Sequence, residues 1–184
     1  RHSIRKKPKG ATYEFFNGFN PMECESTQVR YKYATVAGNR LFAGNLEVQG
    51  LPNLTNMMAG HKQYFNDRMM MSNSGRYNVL PYPNNIFDLD VSDGDEIMGL
   101  ASVGSKVLQF KRGLLYIVDI SSGAPEQFYI EKKLKHKGIE NNNHQVETAD
   151  GVFFFNKYGA WIYDGEEMKN VFVNSDEQDK KQQR

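Results

Sequence analysis

The 184-residue sequence contains very little cysteine, and this excludes several classes of protein at the outset. Its single cysteine, Cys24, cannot form an internal disulfide framework or supply a CxxC metal site. No apolar run approaches the length that spans a bilayer, and no signal peptide is visible. The formal net charge of +1 gives no overall attraction to nucleic acid or to membranes. The composition therefore indicates a globular chain that is neither disulfide-rich nor strongly basic.

The sequence also lacks the motifs that carry catalysis or cofactor binding. It contains no Walker loop and no GxGxxG, HExxH, CxxC or GxSxG pattern. The four histidines are scattered, so a cysteine–histidine nucleophile would have to join Cys24 to a distant histidine. A glycosidase pair drawn from the acidic stretch 81–96 is the other catalytic alternative. We expect neither an enzyme nor a bound cofactor.

Residues 81–96 form an acidic stretch, and calcium binding is the obvious hypothesis for it. Carboxylate and amide oxygens suit a hard cation. The EF-hand spacing fails, however, because Asp93 stands where that loop needs glycine and no glutamate closes the loop. We therefore interpret the stretch as a polar turn in which Asp93 and Gly94 join two strands, and we expect no metal.

What the sequence does contain is a strand pattern, and residues 95–120 show it best. Residues 106–111 alternate polar and apolar side chains, which is typical of a half-buried strand. Residues 114–118 form a continuous apolar run of strand length that is rich in β-forming residues. The glycine-containing pairs at residues 104–105 and 112–113 predict tight turns. The region therefore predicts three strands in an antiparallel meander.

A similar unit recurs along the chain. In each copy a polar or glycine-containing turn precedes a short apolar strand, with Arg40, Arg68, Lys106 and Val152 as equivalent positions. Their spacings are 28, 38 and 46 residues, and the last two approach the length of a four-stranded propeller blade, about 40–50 residues. The sequence therefore predicts an all-β fold of propeller-like antiparallel meander blades. We expect a partial propeller that is completed by sequence outside this chain.

Charge and composition divide the chain into three predicted segments. Residues 1–28 form an N-terminal arm and an irregular segment, residues 29–174 carry the β-propeller-type blades, and residues 175–184 form a flexible polar tail. Residues 11–174 hold 15 basic and 19 acidic residues. A sequence-specific DNA-binding protein is usually basic on its main body, and this body is not.

Two basic clusters are the candidate contacts for DNA or for a partner. They lie in the N-terminal arm and after residue 131: Arg5, Lys6, Lys7, Lys132, Lys133 and Lys135. Lysine and arginine side chains at this density can bind phosphate or an acidic partner. The alternative is a solvated terminus and a solvated strand face, which need no ligand.

Four patterns in the sequence resemble tail proteins of short-tailed bacteriophages. The first is an Asp-Arg pair followed by a short strand and a Ser-x-x-Gly turn, and the second is an Asp-Gly-Asp-Glu-Ile stretch. The third is a Lys-Val-Leu-x-Phe-Lys hairpin, and the fourth is an Asp-Gly-Val-Phe-Phe segment that ends in Trp-x-Tyr-Asp-Gly. Here they occupy residues 67–81, 93–97, 106–116 and 150–165. The resemblance is to the proteins called tail tubular, nozzle, stabilisation or muzzle proteins. The asparagine- and lysine-rich composition is similar to that of the crAss-like gut phages.

This resemblance implies a structural role in the virion. Several copies would form a ring at the end of the portal axis, beside other tail and portal-adaptor proteins. Packaged DNA would be held by the ring and would leave through it, in transient and non-specific contact with the protein. A weakly acidic body agrees with this role, because many phosphate contacts would oppose sliding. Proteins of this family are several times longer, so we expect the chain to be an internal or cleaved portion of one.

Two other functions remain open. A propeller binding module that recognises a host glycan or protein would use exposed aromatic side chains such as Tyr77, Tyr82 and Trp161. The apolar neighbours of Trp161 favour a place in the core instead. A polysaccharide-cleaving propeller enzyme would need two carboxylates converging in one pocket, and Asp88 and Asp90 are the candidates.

Overall fold

A computed structural model describes residues 9–12, 28–49, 62–78, 80, 85–89 and 94–172. Within these ranges the chain forms antiparallel β-strands, and its helical segments are short 3-10 turns at Pro125–Gln127 and Asn142–His144. No helix in this part of the chain is long and apolar enough to cross a membrane. The predicted all-β class with antiparallel meanders is confirmed. No closed ring is detected among the described strands, so the propeller stays a prediction.

The described strands form three sheets, which we name A, B and C in chain order. Sheet A contains β1 Lys9–Thr12, β2 Gln28–Ala37, β3 Arg40–Gln49, β4 Lys62–Met71 and β5 Ile86–Phe87. Sheet B contains β6 Ile97–Val103, β7 Lys106–Lys111, β8 Leu114–Asp119 and β9 Tyr129–Lys135. Sheet C contains β10 Gln145–Thr148, β11 Gly151–Asn156, β12 Gly159–Tyr163 and β13 Met168–Asn170. Within each sheet the spatial order of the strands follows the chain, so each sheet is a meander. Strand β1, which pairs with the start of β2, lies within the segment that the sequence assigned to the N-terminal arm.

Tight turns set the register of the hairpins. Gly38 and Asn39 join β2 to β3, and both have positive φ, 52° and 58°, as a type I′ turn requires. Residues 104–105 and 112–113 join the first three strands of sheet B at the predicted positions. Neighbouring residues alone specify these turns. The antiparallel meander predicted for residues 95–120 is confirmed.

The predicted repeat is only partly correct. Arg40 and Lys106 are equivalent, since each begins a strand directly after a two-residue turn. In sheet C the corresponding residue is Gly151, one position before Val152. Arg68 lies inside β4, because the apolar run that follows it is the end of a ten-residue strand rather than the start of a new one. The equivalence proposed for Arg68 is therefore wrong.

The three sheets stack face to face, with sheet B in the middle. One core lies between sheets A and B and includes Phe42 and Tyr116. A second core lies between sheets B and C, where the rings of Phe110 and Phe154 meet edge to face at a centroid distance of 5.1 Å. Sheet B is therefore covered on both faces, which explains why β8 is apolar along nearly its whole length.

A short connection after β9 fixes sheet C against sheet B. The amide of Asn156 donates to the backbone oxygens of His136 (3.1 Å) and Gly138 (2.6 Å). The backbone N–H of Ile139 donates to the backbone oxygen of Lys111 at 3.0 Å. A Cβ atom added at Gly138 would lie 2.2 Å from that same oxygen. The connection therefore has no room for a side chain at this position.

Replacing Gly138 with alanine is expected to lower the free energy of unfolding by at least about 2 kcal/mol, because the new methyl group overlaps the backbone. Urea unfolding measures the change. Gly113→Ala is the matched control, since the nearest atom to a Cβ there is 4.0 Å away. We expect the control to change stability by less than about 1 kcal/mol. Equal losses in the two variants would contradict the packing described for Gly138.

Candidate functional site

A groove lies where one strand from each of the three meanders comes together: β2 of sheet A, β6 of sheet B and β10 of sheet C. Strand β6 contacts both β2 and β10. The groove between them has a volume of about 570 Å³. Its walls combine polar and apolar residues: Lys32, Tyr33, Ala34, Thr35, Val36, Leu100, Asn142, Gln145, Val146 and Glu147. A groove of this size can hold a small ligand, which makes it the candidate site.

Glu147 of β10 joins all three sheets in this groove. Its Oε1 accepts hydrogen bonds from the Thr35 hydroxyl of sheet A at 2.9 Å and from the Ser102 backbone N–H of sheet B at 2.7 Å. The Ser102 hydroxyl donates in turn to the backbone oxygen of Val36 at 3.1 Å. None of the described strands pairs with the edge of β6 that carries the Ser102 N–H. The Glu147 carboxylate therefore satisfies a backbone group that a further strand would otherwise bind.

Gln145 extends this arrangement along β6. Side chains two residues apart in a strand point to the same face, so Gln145 and Glu147 reach the edge of β6 together. The Gln145 amide donates to the backbone oxygen of Leu100 at 3.3 Å and to the side-chain oxygen of Asn142 at 3.1 Å. The polar groups of the groove thus hold the sheets to one another. The donors from Thr35 and Ser102 both bind Oε1 of Glu147, so this one oxygen contacts sheets A and B.

The basic cluster that the sequence predicted lies on β9, the outermost strand of sheet B. The Lys132 ammonium donates to the backbone oxygen of Glu166, in the last turn of sheet C, at 2.8 Å. The same ammonium lies 5.6 Å from the centre of the Tyr163 ring. The Lys133 ammonium lies 5.3 Å from the centre of the Tyr116 ring, which belongs to the other core. Lys132 and Lys133 therefore point to opposite faces of sheet B and do not form one patch.

The position of these lysines suggests a second role for them. An unpaired edge strand can add a strand from another molecule, and natural sheets oppose this with lysines and bulges. Lys133 and Lys135 are exposed on β9, and a bulge at Glu131 interrupts the pairing of β9 with β8. Protection of the edge explains the cluster without a ligand. The other basic cluster, Arg5, Lys6 and Lys7, lies outside the described residues.

The aromatic residues considered for ligand binding are not gathered in one place. Trp161 is 4% exposed and packs in the core, with its ring 5.6 Å from that of Phe154. Tyr77 is exposed, and its hydroxyl donates to the side-chain oxygen of Asn39 at 2.9 Å. Tyr82 lies outside the described residues. The core position favoured for Trp161 is confirmed.

Of the two carboxylates considered for a glycosidase pair, Asp88 is an exposed and ion-paired group. Its Oδ1 lies 3.4 Å from Nε of Arg68. Partial burial raises the pKa of Asp88, and the Arg68 guanidinium opposes that rise. Asp90 lies outside the described residues.

A second cleft, of about 640 Å³, lies where the acidic stretch meets the turn at residues 112–113. The Asp95 carboxylate accepts hydrogen bonds from the backbone N–H groups of Arg112 and Gly113, each at 3.1 Å. A side-chain hydrogen bond from Arg112, at 2.6 Å, lowers the pKa of Glu96. No group of three or more His, Cys, Asp or Glu in the described part of the chain is arranged to hold a metal ion. These acids brace the turn.

Sequence reasoning missed a buried cluster of charges on sheet B. The Lys106 ammonium pairs with Asp119 and lies 2.6 Å from a carboxylate oxygen of Glu131. The side chains of Lys106 and Asp119 are only 17% and 8% exposed. Hydrogen bonds from Lys106 and then Ser121 hold the pKa of Asp119 well below its usual range, and the two carboxylates raise the pKa of Lys106. The Lys106–Asp119 pair could have been predicted from the sequence, because a hairpin that turns at residues 112–113 places Lys106 opposite Asp119.

This cluster predicts a stability that declines in acid. The pKa of Asp119 is lower in the folded chain than in the unfolded chain. Its contribution is therefore complete above the unfolded value, about 3.9, and is lost as the pH falls through the folded value. Asp119→Asn is expected to lower the free energy of unfolding by about 2 kcal/mol near neutral pH and to flatten its decline in acid. Urea unfolding at a series of pH values measures both effects.

Glu126→Gln, which removes an exposed carboxylate, is the control for this experiment and should keep the wild-type profile. If Asp119→Asn and the wild type lose stability in parallel as the pH falls, the role assigned to Asp119 is wrong.

Comparison with known proteins does not place the chain in a family. No protein-family model matches the sequence. A search of curated proteins also found no match.

Proposed function

We propose that this chain is a structural protein of a phage tail, in which several copies form a nozzle or muzzle ring that retains DNA and conducts it during ejection. Glu147 provides the structural observation behind the proposal. Its Oε1 accepts hydrogen bonds from Thr35 and Ser102 of two other sheets, so this side chain connects all three sheets. The phage assignment itself comes from the sequence patterns between residues 35 and 173. A tail ring that retains packaged DNA and then conducts it needs this kind of cohesion between its sheets.

The distribution of charge agrees with the passage of DNA. Residues 11–174 hold 15 basic and 19 acidic residues, so this part of the chain has a net negative charge. In the groove the single lysine, Lys32, is balanced by the single carboxylate, Glu147. Surfaces with few unbalanced cations release few counterions on meeting DNA, so they bind it weakly. During ejection, DNA would then slide past the protein without binding tightly to its surface.

We also propose that sheets A, B and C are blades of a partial propeller in the tail protein. Each sheet is a meander, and β2, β6 and β10 adjoin one another around the groove. Radial repetition of four-stranded meanders about a central channel is the plan of a propeller. Further sheets would close the ring.

Electron microscopy of the full-length parent protein, classified by rotational symmetry, tests the proposed function. We expect a ring of several copies with a central hole wide enough for duplex DNA, since the ring must let the genome pass. The symmetry would give the copy number. A compact monomer at all protein concentrations would contradict the proposal.

Non-specific contact with DNA predicts a weak affinity that depends on salt. Lys133 and Lys135 of β9 are the proposed phosphate contacts within the described residues, together with Lys132. Replacing Lys133 and Lys135 by glutamine is expected to lower the slope of log affinity against log salt by about two, one for each lost contact. Fluorescence anisotropy with a labelled duplex of random sequence measures the slope.

Lys169→Gln is the control for the DNA measurement, because that exposed lysine is already paired with Asp164 at 2.9 Å. It should leave the slope unchanged. If the double variant also keeps the wild-type slope, Lys133 and Lys135 are not phosphate contacts, and edge protection is their role.

The alternative function is a binding module for a host glycan or protein. The observation that favours it is the groove itself, which combines the ring of Tyr33 with the amides of Asn142 and Gln145. Aromatic rings and amides are groups that can bind a sugar. A monomeric parent protein that binds a defined glycan, with an affinity that Asn142→Ala weakens, would replace the tail proposal with this one.

A further inference from the structure

The turn between β11 and β12 contains residues that turn geometry does not require. Asn156 pairs with Gly159, so Lys157 and Tyr158 form a two-residue turn. Turns of this length favour glycine, asparagine and aspartate, and the corresponding turn of sheet B, between β7 and β8, contains Gly113. Tyr158 occupies the position of Gly113 and is 53% exposed. A large aromatic side chain at the tip of this hairpin therefore needs an explanation other than the turn.

Basic residues from two segments of the chain meet around the Tyr158 ring. The centroid of the His136 ring lies 4.7 Å from that of Tyr158, and the Lys157 ammonium lies 5.1 Å from the centre of the same ring. Directly after His136, the Lys137 ammonium lies 3.5 Å from the centre of the Trp161 ring. We call His136, Lys137, Lys157 and Tyr158 the corner patch, because it lies where the chain leaving β9 meets the β11–β12 turn. The patch combines an exposed aromatic ring with basic side chains.

Hydrogen bonds hold the backbone of the corner patch in place. The Asn156 side chain, whose amide donates to the backbone oxygen of His136, also accepts a hydrogen bond from the Tyr158 N–H at 2.8 Å. The backbone N–H of His136 donates to the backbone oxygen of Gly113 at 2.9 Å. His136 has a φ of 63°, in the left-handed region that residues other than glycine rarely adopt. The patch is therefore arranged before any ligand arrives, which lowers the entropic cost of binding.

The lysines of the corner patch lack the carboxylate partners that lysines have elsewhere on sheet C. Lys169, for example, lies 2.9 Å from Asp164. Within the described residues no ion pair joins Lys137 or Lys157 to a carboxylate, and the same holds for Lys135, which directly precedes the patch. The patch is therefore a locally positive surface on a body that is negative overall. Exposed cations without a carboxylate partner can bind phosphate.

We propose that the corner patch is a binding site for single-stranded nucleic acid. An unpaired base stacks on the Tyr158 ring, and Lys137 and Lys157 contact the phosphates beside it. Every base has a face that stacks on an aromatic ring, so such a site needs no particular sequence. The bases of a duplex are already stacked on one another, so a duplex contacts the cations alone. This inference goes beyond the proposed function, since duplex DNA would pass the patch while a single-stranded end would bind.

Fluorescence anisotropy with the 184-residue chain tests the proposal, using labelled oligothymidine of about 12 nucleotides and a labelled duplex of the same length. We expect the single strand to bind more tightly than the duplex by about fivefold or more. Tyr158→Ala removes the stacking surface, so it is expected to weaken single-strand binding by about fivefold or more and to leave duplex binding unchanged. Tyr158→Phe keeps the ring and should keep the affinity.

Tyr64→Ala is the matched control, because Tyr64 is 57% exposed but lines the acidic cleft beside Asp67 and Asp95. It should bind both nucleic acids as the wild type does. Circular dichroism establishes that the variants are folded. If Tyr158→Ala does not fold, Lys157→Gln gives a second test. It is expected to lower the slope of log affinity against log salt for the single strand by about 0.7, the value for one phosphate contact.

A single-strand affinity that Tyr158→Ala leaves unchanged would overturn the proposal and would indicate that the lysines bind acidic ligands in general. A chain that does not bind oligothymidine at concentrations up to about 100 µM would overturn it as well. Equal affinity for the duplex would do the same. None of these results depends on a ring, whereas the proposed tail function is judged by imaging the parent protein, so each proposal can fail without the other.

Discussion

The unpaired edge of β6, the first strand of sheet B, is the constraint on which the junction of the three sheets depends. Such an edge carries backbone N–H and C=O groups that need partners when neighbouring sheets cover them. Here side chains provide the partners: Glu147 binds the Ser102 N–H, Gln145 binds the Leu100 oxygen, and Ser102 binds the Val36 oxygen. Each of these bonds joins two sheets. The side chains that satisfy these backbone groups therefore also connect the sheets at the groove.

Sheet B lies between two other sheets, so both of its faces must fit against a core. Its two faces contribute to two separate cores, so β7 and β8 carry buried side chains in both directions. Charges in such a sheet need partners of their own, because an unpaired buried charge is costly. Lys106 meets Asp119 and Glu131, and the ammonium of the fully buried Lys111 lies 5.5 Å from the centre of the Tyr116 ring. These contacts let polar residues at the ends of a strand share a sheet with an apolar centre.

Two acidic side chains have structural contacts that the folded chain makes clear. Asp95, which belongs to the acidic stretch considered for calcium, stabilises a turn in the folded chain. Glu147, which the sequence did not single out, stabilises a junction between sheets. The outermost strand of sheet B carries exposed lysines and a bulge, which discourage pairing along that edge.

The sequence by itself determined the hairpins. Turns such as Gly38-Asn39 and the alternation in residues 106–111 depend on neighbouring residues, so the strands of sheet B were predictable, as was the core place of Trp161. The repeat failed at Arg68, because an apolar run looks the same at the end of a long strand as at the start of a new one. Only the tertiary structure decided the groove. Glu147 meets Thr35 across 112 residues of chain, and no local pattern encodes a contact at that separation.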